Sequence, residues 1–521
     1  MTLETVVTSA QWVFLAYFIG INVGYLLQNA IAAVGIRKYL QTAEQYEAEN
    51  VFSALDIPIS VIVPAYNESA SIITSVKAML QLEYPQYELI VVNDGSSDDT
   101  LHKLVDAFQM QPFPEAYRAR VQSQPVKQVY RSTRAGNLRV IDKENGGSKA
   151  DAVNAGINAC RFPIVCVVDA DSVLQPDSLR RVVRPFIEDP TTVAVGGTVR
   201  IANGCTVRQG FLEKVGLPRG FLALVQVVEY LRAFLFGRMG WSPINGLLII
   251  SGAFGVFHKE TLIEVGGYNP KAVGEDMELV LRLHRYLKEK RRAYRISYVP
   301  DPVCWTDAPE SLSDLKGQRV RWQHGLGQAF ALNRSLLVNP RGGTVTWVAI
   351  PFYVIFELLG PIIEVLGFAF IILCAFNGWL AFPEAMIFLG LAICLGVLLS
   401  TSAIMLEEMS FHMYPKLSQV GMLYFIAIFE NFGFRQLTAL WRFKGLIRWL
   451  SGREHKWQTI TRSASLAEDG PADDSLLQKA APGDEASSAR TIAFRNYRDP
   501  SMQPANKEQE SKKSRTANDS R

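Results

Sequence analysis

Three short stretches decide the fold: ISVIVPAYNE at residues 59–68, ELIVVNDGSSDDT at residues 88–100 and PIVCVVDADS at residues 163–172. Each contains a short, mostly β-branched apolar run that ends in a polar cluster. Runs of this length and composition predict strands buried on both faces, as in a parallel sheet. The same reasoning predicts further strands at residues 192–197 and 247–257, and helices at residues 70–82 and 276–290. The pattern therefore predicts an α/β domain.

The composition indicates that part of the chain lies in a membrane. Hydrophobic residues make up 49% of the chain and charged residues 20%, whereas about 25% is charged in a typical soluble protein. Residues 12–36 carry no charge, and as a helix they would be about 37 Å long, more than the roughly 30 Å hydrocarbon core. A cleaved signal peptide is the alternative, but the basic pair Arg37 and Lys38 follows the apolar run instead of preceding it. We therefore predict a transmembrane helix.

Apolar segments return after the α/β region. Residues 345–376, interrupted by two prolines, and residues 385–406 are predicted to enter or cross the bilayer. Residues 417–434 are ambiguous because they are short and include Glu430. The basic stretch that follows is predicted to lie on the cytosolic side as an amphipathic helix on the inner leaflet.

The predicted organisation has seven parts. They are residues 1–11 outside the membrane, 12–36 a transmembrane helix, 37–56 a linker, 57–333 a cytosolic α/β domain, 344–434 membrane segments, 435–460 a basic amphipathic interfacial helix, and 461–521 a disordered cytosolic tail.

Charge and cysteine content exclude several classes of protein. The 53 basic and 50 acidic residues give a net charge of +3, which is too balanced for a nucleic-acid-binding protein. The six cysteines show no C-x-x-C spacing, so neither a zinc knuckle nor a redox pair is indicated.

Among the polar clusters, the one that follows residues 164–168 is the most specific indication of a functional site. Asp169 and Asp171 are two positions apart at the end of a buried strand, where they repel each other unless a hard divalent cation lies between them. Magnesium normally completes its coordination shell with substrate phosphates and water, so the pair predicts a nucleoside diphosphate ligand bound with Mg²⁺ or Mn²⁺. Lys149 follows two glycines at the start of a predicted helix, where a cation and backbone N–H groups can both meet a phosphate. Asp94 lies at a strand tip in front of a glycine, where a ligand can approach the backbone closely.

From residue 57 to about residue 326 the chain resembles the membrane-embedded, inverting family 2 glycosyltransferases. These include synthases of cellulose, hyaluronan, chitin oligosaccharides and poly-N-acetylglucosamine. The resemblance rests on the order of the strand-end clusters, on Gly274-Glu275-Asp276, and on residues 318–322, QRVRW, which match the Q-x-x-R-W motif of polymerising members. It implies a Rossmann-like glycosyltransferase A fold inserted between transmembrane helices.

The resemblance also implies a role for each site residue. Asp276 is the general base; Asp94 contacts uracil; Tyr66 and Glu68 lie beside the base and ribose; Lys149 lies near the nucleotide; Asp169 and Asp171 hold the metal and diphosphate; Gln318, Arg319, Arg321 and Trp322 contact pyrophosphate and the acceptor sugar. Residues 251–255, SGAFG, are mostly small and suggest a wall where the acceptor approaches the backbone.

The expected function is a processive β-glycosyltransferase of the inner membrane with its catalytic domain in the cytosol. It would polymerise a UDP-activated hexose or N-acetylhexosamine and pass the glycan through its membrane segments. The alternatives are a non-processive transferase that acts on a lipid acceptor such as a polyprenyl phosphate, and a membrane receptor that only binds nucleotide. The expected partners are a UDP-sugar, a growing glycan or lipid-linked acceptor and the bilayer, while an accessory export or regulatory subunit remains open.

Overall fold

The computed structural model describes residues 3–49, 57–115, 118–208, 211–379 and 382–452. The end of the predicted linker and the whole of the predicted disordered tail lie outside the described residues.

A ten-stranded mixed sheet forms the centre of the α/β domain, in the order β3-β4-β5-β2-β1-β6-β11-β8-β12-β7. Its strands and those of a separate two-stranded ribbon are β1 Ile59–Ala65, β2 Tyr87–Asn93, β3 Met110–Pro112, β4 Val126–Ser132, β5 Leu138–Lys143, β6 Ile164–Val168, β7 Val173–Leu174, β8 Thr192–Ile201, β9 Thr206–Arg208, β10 Phe211–Lys214, β11 Phe254–His258 and β12 Arg295–Thr306. The neighbours β5, β2, β1 and β6 run parallel, as the apolar runs of β2, β1 and β6 predict, so their carboxyl ends share one edge.

The predicted strand at residues 247–257 is shorter in the structure. β11 begins only at Phe254 and runs antiparallel between β6 and β8. The preceding small residues leave the sheet because the backbone of Gly252 bonds to side chains from two other elements. The departure brings Gly252 to the carboxyl edge of β6. The sheet is mixed because β11, β3, β4 and β7 run antiparallel to their neighbours.

Helices cover the sheet and continue into the apolar ends of the chain. Those of the domain are α2 Ile72–Met79, α3 Thr100–Phe108, α4 Lys149–Ala159, α5 Ser178–Glu188, α6 Phe221–Leu231, α7 Met239–Trp241, α8 Lys259–Glu264, α9 Glu275–Glu289, α10 Leu312–Leu332 and α11 Arg334–Leu337, and those of the apolar ends are α1 Leu3–Glu49, α12 Ile350–Phe352, α13 Gly360–Phe376, α14 Phe382–Ser410, α15 Leu417–Phe429 and α16 Phe434–Leu450. Wide π-helical turns occur at Arg232–Arg238, Val345–Ala349 and Tyr353–Leu358.

Two helices among the described residues are long and apolar enough to cross a membrane, α1 over Thr5–Thr42 and α14 over Met386–Ser410. Two bent pairs, Val345–Leu358 with α13 and α15 with α16, raise the number to four if each pair is one span. The first pair bends by 41° next to Pro361 and the second by 62° at Gly433, whose φ is +92°. Proline and a left-handed glycine are ordinary causes of such breaks.

Ion pairs join the apolar helices to the domain. Arg200 in β8 pairs with Glu407 near the end of α14, and both side chains are almost completely buried. Arg232 after α6 pairs with Glu430 at the α15–α16 bend, which Arg435 also contacts at 2.9 Å. Because a buried charge is costly without its partner, these pairs fix how the membrane-side helices lie on the domain.

Helix α16 differs from a helix that only lies on a membrane surface. It packs one face on α10, burying Trp441 and Leu446. The apolar side chains of Leu440, Ile447 and Leu450 are at least half exposed on the helix. Contact of these three with the inner leaflet stays a prediction.

Candidate active site

The polar loops after β1 and β2 are tied to each other at the carboxyl edge of the sheet. The Ser97 N–H donates to Asn67 Oδ1 at 2.8 Å, and the Asn67 N–H donates to Ser96 Oγ at 3.0 Å. The bonds bring Tyr66, with its side chain 48% exposed, and Glu68 to the same edge as Asp94. Three of the predicted nucleotide contacts therefore share one region.

Asp94 lies in a buried charge cluster that the sequence reading missed. The Lys143 ammonium, at the end of β5, pairs with Asp94 Oδ1 and with Asp151 Oδ2, and it is fully buried. The Gly146 N–H also donates to Asp94 Oδ1, at 3.1 Å. Lys143 thus fixes one oxygen of Asp94 and compensates its charge. The sequence offered only the run IDKENGG, in a region for which no strand was predicted.

Lys149 connects the Asp-x-Asp pair to the acidic start of α9. Its ammonium pairs with Asp169 Oδ1 and donates to the Gly252 carbonyl at 2.7 Å. On the other side, the Gly252 N–H donates to Asp276 Oδ2 at 3.2 Å. A Cβ built at Gly252 would lie 3.6 Å from both Lys149 Nζ and Asp276 Oδ2. The structure therefore brings Lys149, Asp169 and Asp276 together around one glycine backbone.

The carboxylates around Lys149 affect each other's protonation. Burial opposes the charge of Lys149, but Asp169, Glu275 and Asp276 outweigh it and raise the pKa of the ammonium. Burial and the charge of Asp276 raise the pKa of Glu275 to about 7. A buried carboxylate with a raised pKa is typical of sites that transfer protons.

Two glycines bring α10 against the start of α9. A Cβ at Gly325 would lie 2.9 Å from Gly274 N and 3.0 Å from its Cα, so only glycine allows this approach. Gln328 accepts from the Val273 N–H at 2.8 Å and donates to the Lys271 carbonyl at 3.0 Å. The helix with the QRVRW motif is therefore fixed directly to the helix that begins with Glu275 and Asp276.

The motif residues have different environments. Arg319, predicted as a substrate contact, is 3% exposed, pairs with Glu229 at 2.6 Å and has its guanidinium 4.4 Å from the Trp322 ring centroid. It holds Trp322, which is 45% exposed. Arg321 is half-buried. Gln318 Oε1 is buried without a hydrogen-bond partner among the described residues, so an acceptor atom there awaits a donor.

The Asp-x-Asp pair fits a divalent cation that shares its coordination with a ligand. Asp169 and Asp171 lie half-buried directly after β6 and provide carboxylate oxygens. No group of three or more His, Cys, Asp or Glu side chains suited to a metal occurs in the part of the chain that the structure describes. Magnesium and manganese accept two carboxylates when phosphate and water oxygens complete the shell.

A family model described as "Glycosyltransferase like family 2" matches residues 57–325, which is more than half of the chain. The chain belongs to this family. The matched region begins just before β1 and ends within α10, so it contains every predicted site residue and both glycines of the α9–α10 contact.

Curated relatives of this glycosyltransferase include two named "Poly-beta-1,6-N-acetyl-D-glucosamine synthase". The protein of Staphylococcus epidermidis is 28% identical over 267 residues, or 51% of this chain and 54% of the relative. That of Staphylococcus aureus strain COL is 29% identical over 269 residues, with the same coverage. The chain thus spans about half the length of the curated relatives it matches.

Solved structures show lower similarity to the glycosyltransferase. The mannosyltransferase PcManGT from Pyrobaculum calidifontis, in complex with GDP-Man and Mn²⁺, is 16% identical with a TM-score of 0.46, covering 85% of this chain and 100% of that chain. S. aureus TarS 1–349 in complex with UDP-GlcNAc is 12% identical with a TM-score of 0.36, covering 78% and 95%. At these values neither similarity bears on the substrate.

The α9–α10 contact predicts that Gly325→Ala lowers turnover by about tenfold or more, because a displaced helix start misplaces Asp276. Turnover is measured as the release of nucleoside diphosphate from a nucleotide sugar that is added to purified membranes. Gly421→Ala is the matched control, since a Cβ at this α15 glycine meets nothing within 4 Å. Turnover of Gly325→Ala within twofold of the control would contradict the contact's importance.

The raised pKa of Glu275 predicts a pH-dependent stability. Between pH 4.5 and about 7 the unfolded chain releases this proton while the folded protein retains it, so the melting temperature falls as pH rises through that window. Glu275→Gln is expected to flatten this part of the profile of the detergent-solubilised protein. Glu289→Gln, at an exposed position of the same helix, is the control; parallel profiles for wild type and Glu275→Gln would refute the assignment.

Proposed function

We propose that the chain is a processive β-glycosyltransferase that polymerises a UDP-activated sugar at a membrane. The observation that carries the proposal is the arrangement around Gly252, which connects the Asp276 carboxylate to the Lys149–Asp169 pair. A group that takes a proton thus lies next to groups suited to a diphosphate. Transfer from a nucleotide sugar to a hydroxyl needs this combination.

The nucleotide contacts are proposed at the edge of β1, β2 and β5. Asp94 accepts the N–H of uracil through the oxygen that Lys143 does not contact, while Tyr66 and Glu68 lie beside the base and ribose. The Lys143 contact supports this role because it keeps an acceptor in place at the strand tip. Cytosine has no N–H at the equivalent ring nitrogen, so such an acceptor favours uracil.

Asp169 and Asp171 are proposed to hold Mg²⁺ or Mn²⁺ with the diphosphate of the donor. When bound, the cation stabilises the negative charge of the leaving diphosphate. Lys149 adds a positive charge on the same side and fixes Asp169. No protein acid is then needed for the leaving group.

Asp276 is proposed as the general base. An acceptor hydroxyl attacks the anomeric carbon, the bond from that carbon to the diphosphate oxygen breaks, and the hydroxyl proton passes to Asp276, so the configuration inverts. The Gly252 N–H contacts one Asp276 oxygen and the Met277 N–H the other, at 2.8 Å, and both bonds orient the carboxylate. A positioned base contributes about 10² to 10⁴ in rate.

The acceptor sugar is proposed to lie against α10. Trp322 offers an exposed indole face suited to a pyranose, and Arg321 pairs with pyrophosphate. Gln318 Oε1 is an unpaired acceptor for a sugar hydroxyl. Arg319 acts indirectly, through its contact with Trp322.

The sugar and the membrane path follow from further observations. The names of the curated relatives favour UDP-N-acetylglucosamine as donor and a β-linked polymer as product. Passage of the product through the membrane segments is supported by Glu357 and Glu364, which bond to Tyr25 and Tyr17 of α1 within the apolar part of the chain. The proposed location is the inner membrane, with the α/β domain in the cytosol. This location leaves room for an accessory export or regulatory subunit.

The test is incubation of membranes containing the protein with a panel of UDP-sugars and Mg²⁺ or Mn²⁺. UDP release with one donor, most of all UDP-N-acetylglucosamine, and a ladder of polymer lengths are expected. Label found only in the lipid phase would favour transfer to a polyprenyl phosphate instead. Donor binding without UDP release in the presence of short oligosaccharide acceptors would indicate a receptor and refute the proposal.

A further inference from the structure

The break before α13 leaves two backbone carbonyls in need of donors. Pro361 has no N–H, so the Glu357 carbonyl, four residues earlier, lacks its helical partner. The Ile362 N–H donates to the Leu359 carbonyl at 3.0 Å and does not continue the helix to Leu358. Carbonyls freed in an apolar region are costly unless other groups bond to them.

Two side chains from other helices supply the donors. Gln323 of α10 donates its Nε2 to the Glu357 carbonyl at 3.0 Å and to the Leu358 carbonyl at 3.1 Å. Arg442 of α16 donates its Nη2 to the Glu357 carbonyl at 2.7 Å and to Glu357 Oε2 at 2.8 Å. Arg442 Nε also donates to Gln323 Oε1 at 3.0 Å. The amide of Gln323 is therefore satisfied on both sides within one junction of three helices.

Gln323 directly follows Trp322 in α10. Consecutive helical residues point about 100° apart, and here Gln323 is 3% exposed while Trp322 is 45% exposed. The two residues thus face opposite environments from a single turn: one faces the helix break, the other an open surface. Any shift of the turn at Gln323 moves the Trp322 indole by a similar amount.

We propose that Gln323 is a positioning residue for the acceptor, which fixes the turn bearing Arg321 and Trp322 to the broken membrane helix. The inference rests on the proposed function, because Trp322 serves the acceptor only if a glycan is extended. Apart from Arg321, the proposed donor contacts, such as Asp94 and Asp169, lie at the carboxyl edge of the sheet and not on α10. Loosening α10 should therefore weaken retention of the acceptor much more than binding of the donor.

The first variant is Gln323→Met, which keeps the length of the side chain and removes the amide. We expect products about fivefold shorter, as follows from leaving the Leu358 carbonyl unsatisfied, with the KM for the donor within twofold of wild type. Gln436→Met is the matched control. Its amide also makes two hydrogen bonds, one from the Gly433 N–H and one to the Asn431 carbonyl. These lie at the α15–α16 bend and not at the break before α13.

Pro361→Ala provides the second arm, because alanine restores an N–H for the Glu357 carbonyl and removes the proline ring. The helix can then continue, so that the Ile362 N–H can bond to the Leu358 carbonyl that Gln323→Met leaves unsatisfied. If Gln323 acts through the break, Gln323→Met shortens the product less in the Pro361→Ala protein than in wild type. If Gln323→Met shortens the product by the same factor in the Pro361→Ala protein as in wild type, the inference is overturned. If Pro361→Ala alone abolishes transfer, the product length of Gln323→Met in the otherwise wild-type protein decides between the outcomes.

Three outcomes of the single variant contradict the inference: a normal ladder, a raised donor KM, or the same shortening in Gln436→Met. Failure of the proposed function gives a different result, since wild type itself then makes no ladder. Should wild type add one sugar only, the KM for the acceptor replaces product length, and it is expected to rise about fivefold in Gln323→Met alone. An unchanged acceptor KM then overturns the inference.

Discussion

The ion pair between Lys149 and Asp169 is the contact on which the candidate active site depends. The ammonium lies among three carboxylates, from Asp169, Glu275 and Asp276, which would repel each other without it. Lys149 also holds the Gly252 carbonyl, whose own N–H orients Asp276. The Lys149 ammonium thereby connects the tip of β6, the loop at Gly252 and the start of α9. These contacts hold the loop out of the sheet, which explains why β11 begins only at Phe254.

Helix α10 transmits this arrangement to the membrane side. Gly325 packs against Gly274 just before the acidic pair, and Gln323, two residues earlier in α10, completes the broken helix at Glu357 together with Arg442. The QRVRW motif lies on the same helix, so the proposed acceptor surface is coupled to the start of α9 and to the helices at the break before α13. The buried pair of Arg200 and Glu407 adds a second connection on another side of the domain.

Much of this could be predicted from the sequence, because buried parallel strands and membrane helices leave plain apolar runs and because polar clusters at strand ends share an edge. The contacts of Lys143 and Gln323 could not be predicted, because each side chain bonds to residues that are distant in the sequence and come close only in the folded chain. The sequence also placed Arg319 among the substrate contacts; that role stays a prediction, and the burial of Arg319 against Glu229 and Trp322 is the basis of the indirect role proposed here. The late start of β11 within the predicted strand at residues 247–257 has the same origin, since hydrogen bonds from remote side chains outweigh strand propensity.

The most direct test of the account is to measure donor binding and UDP release together in Asp276→Asn. Asparagine keeps an oxygen for the Gly252 N–H but cannot take the proton of the acceptor. We expect donor affinity within about twofold of wild type and turnover lower by about 10² to 10⁴. Turnover close to that of wild type, with donor affinity unchanged, would contradict the assignment of Asp276 as the base.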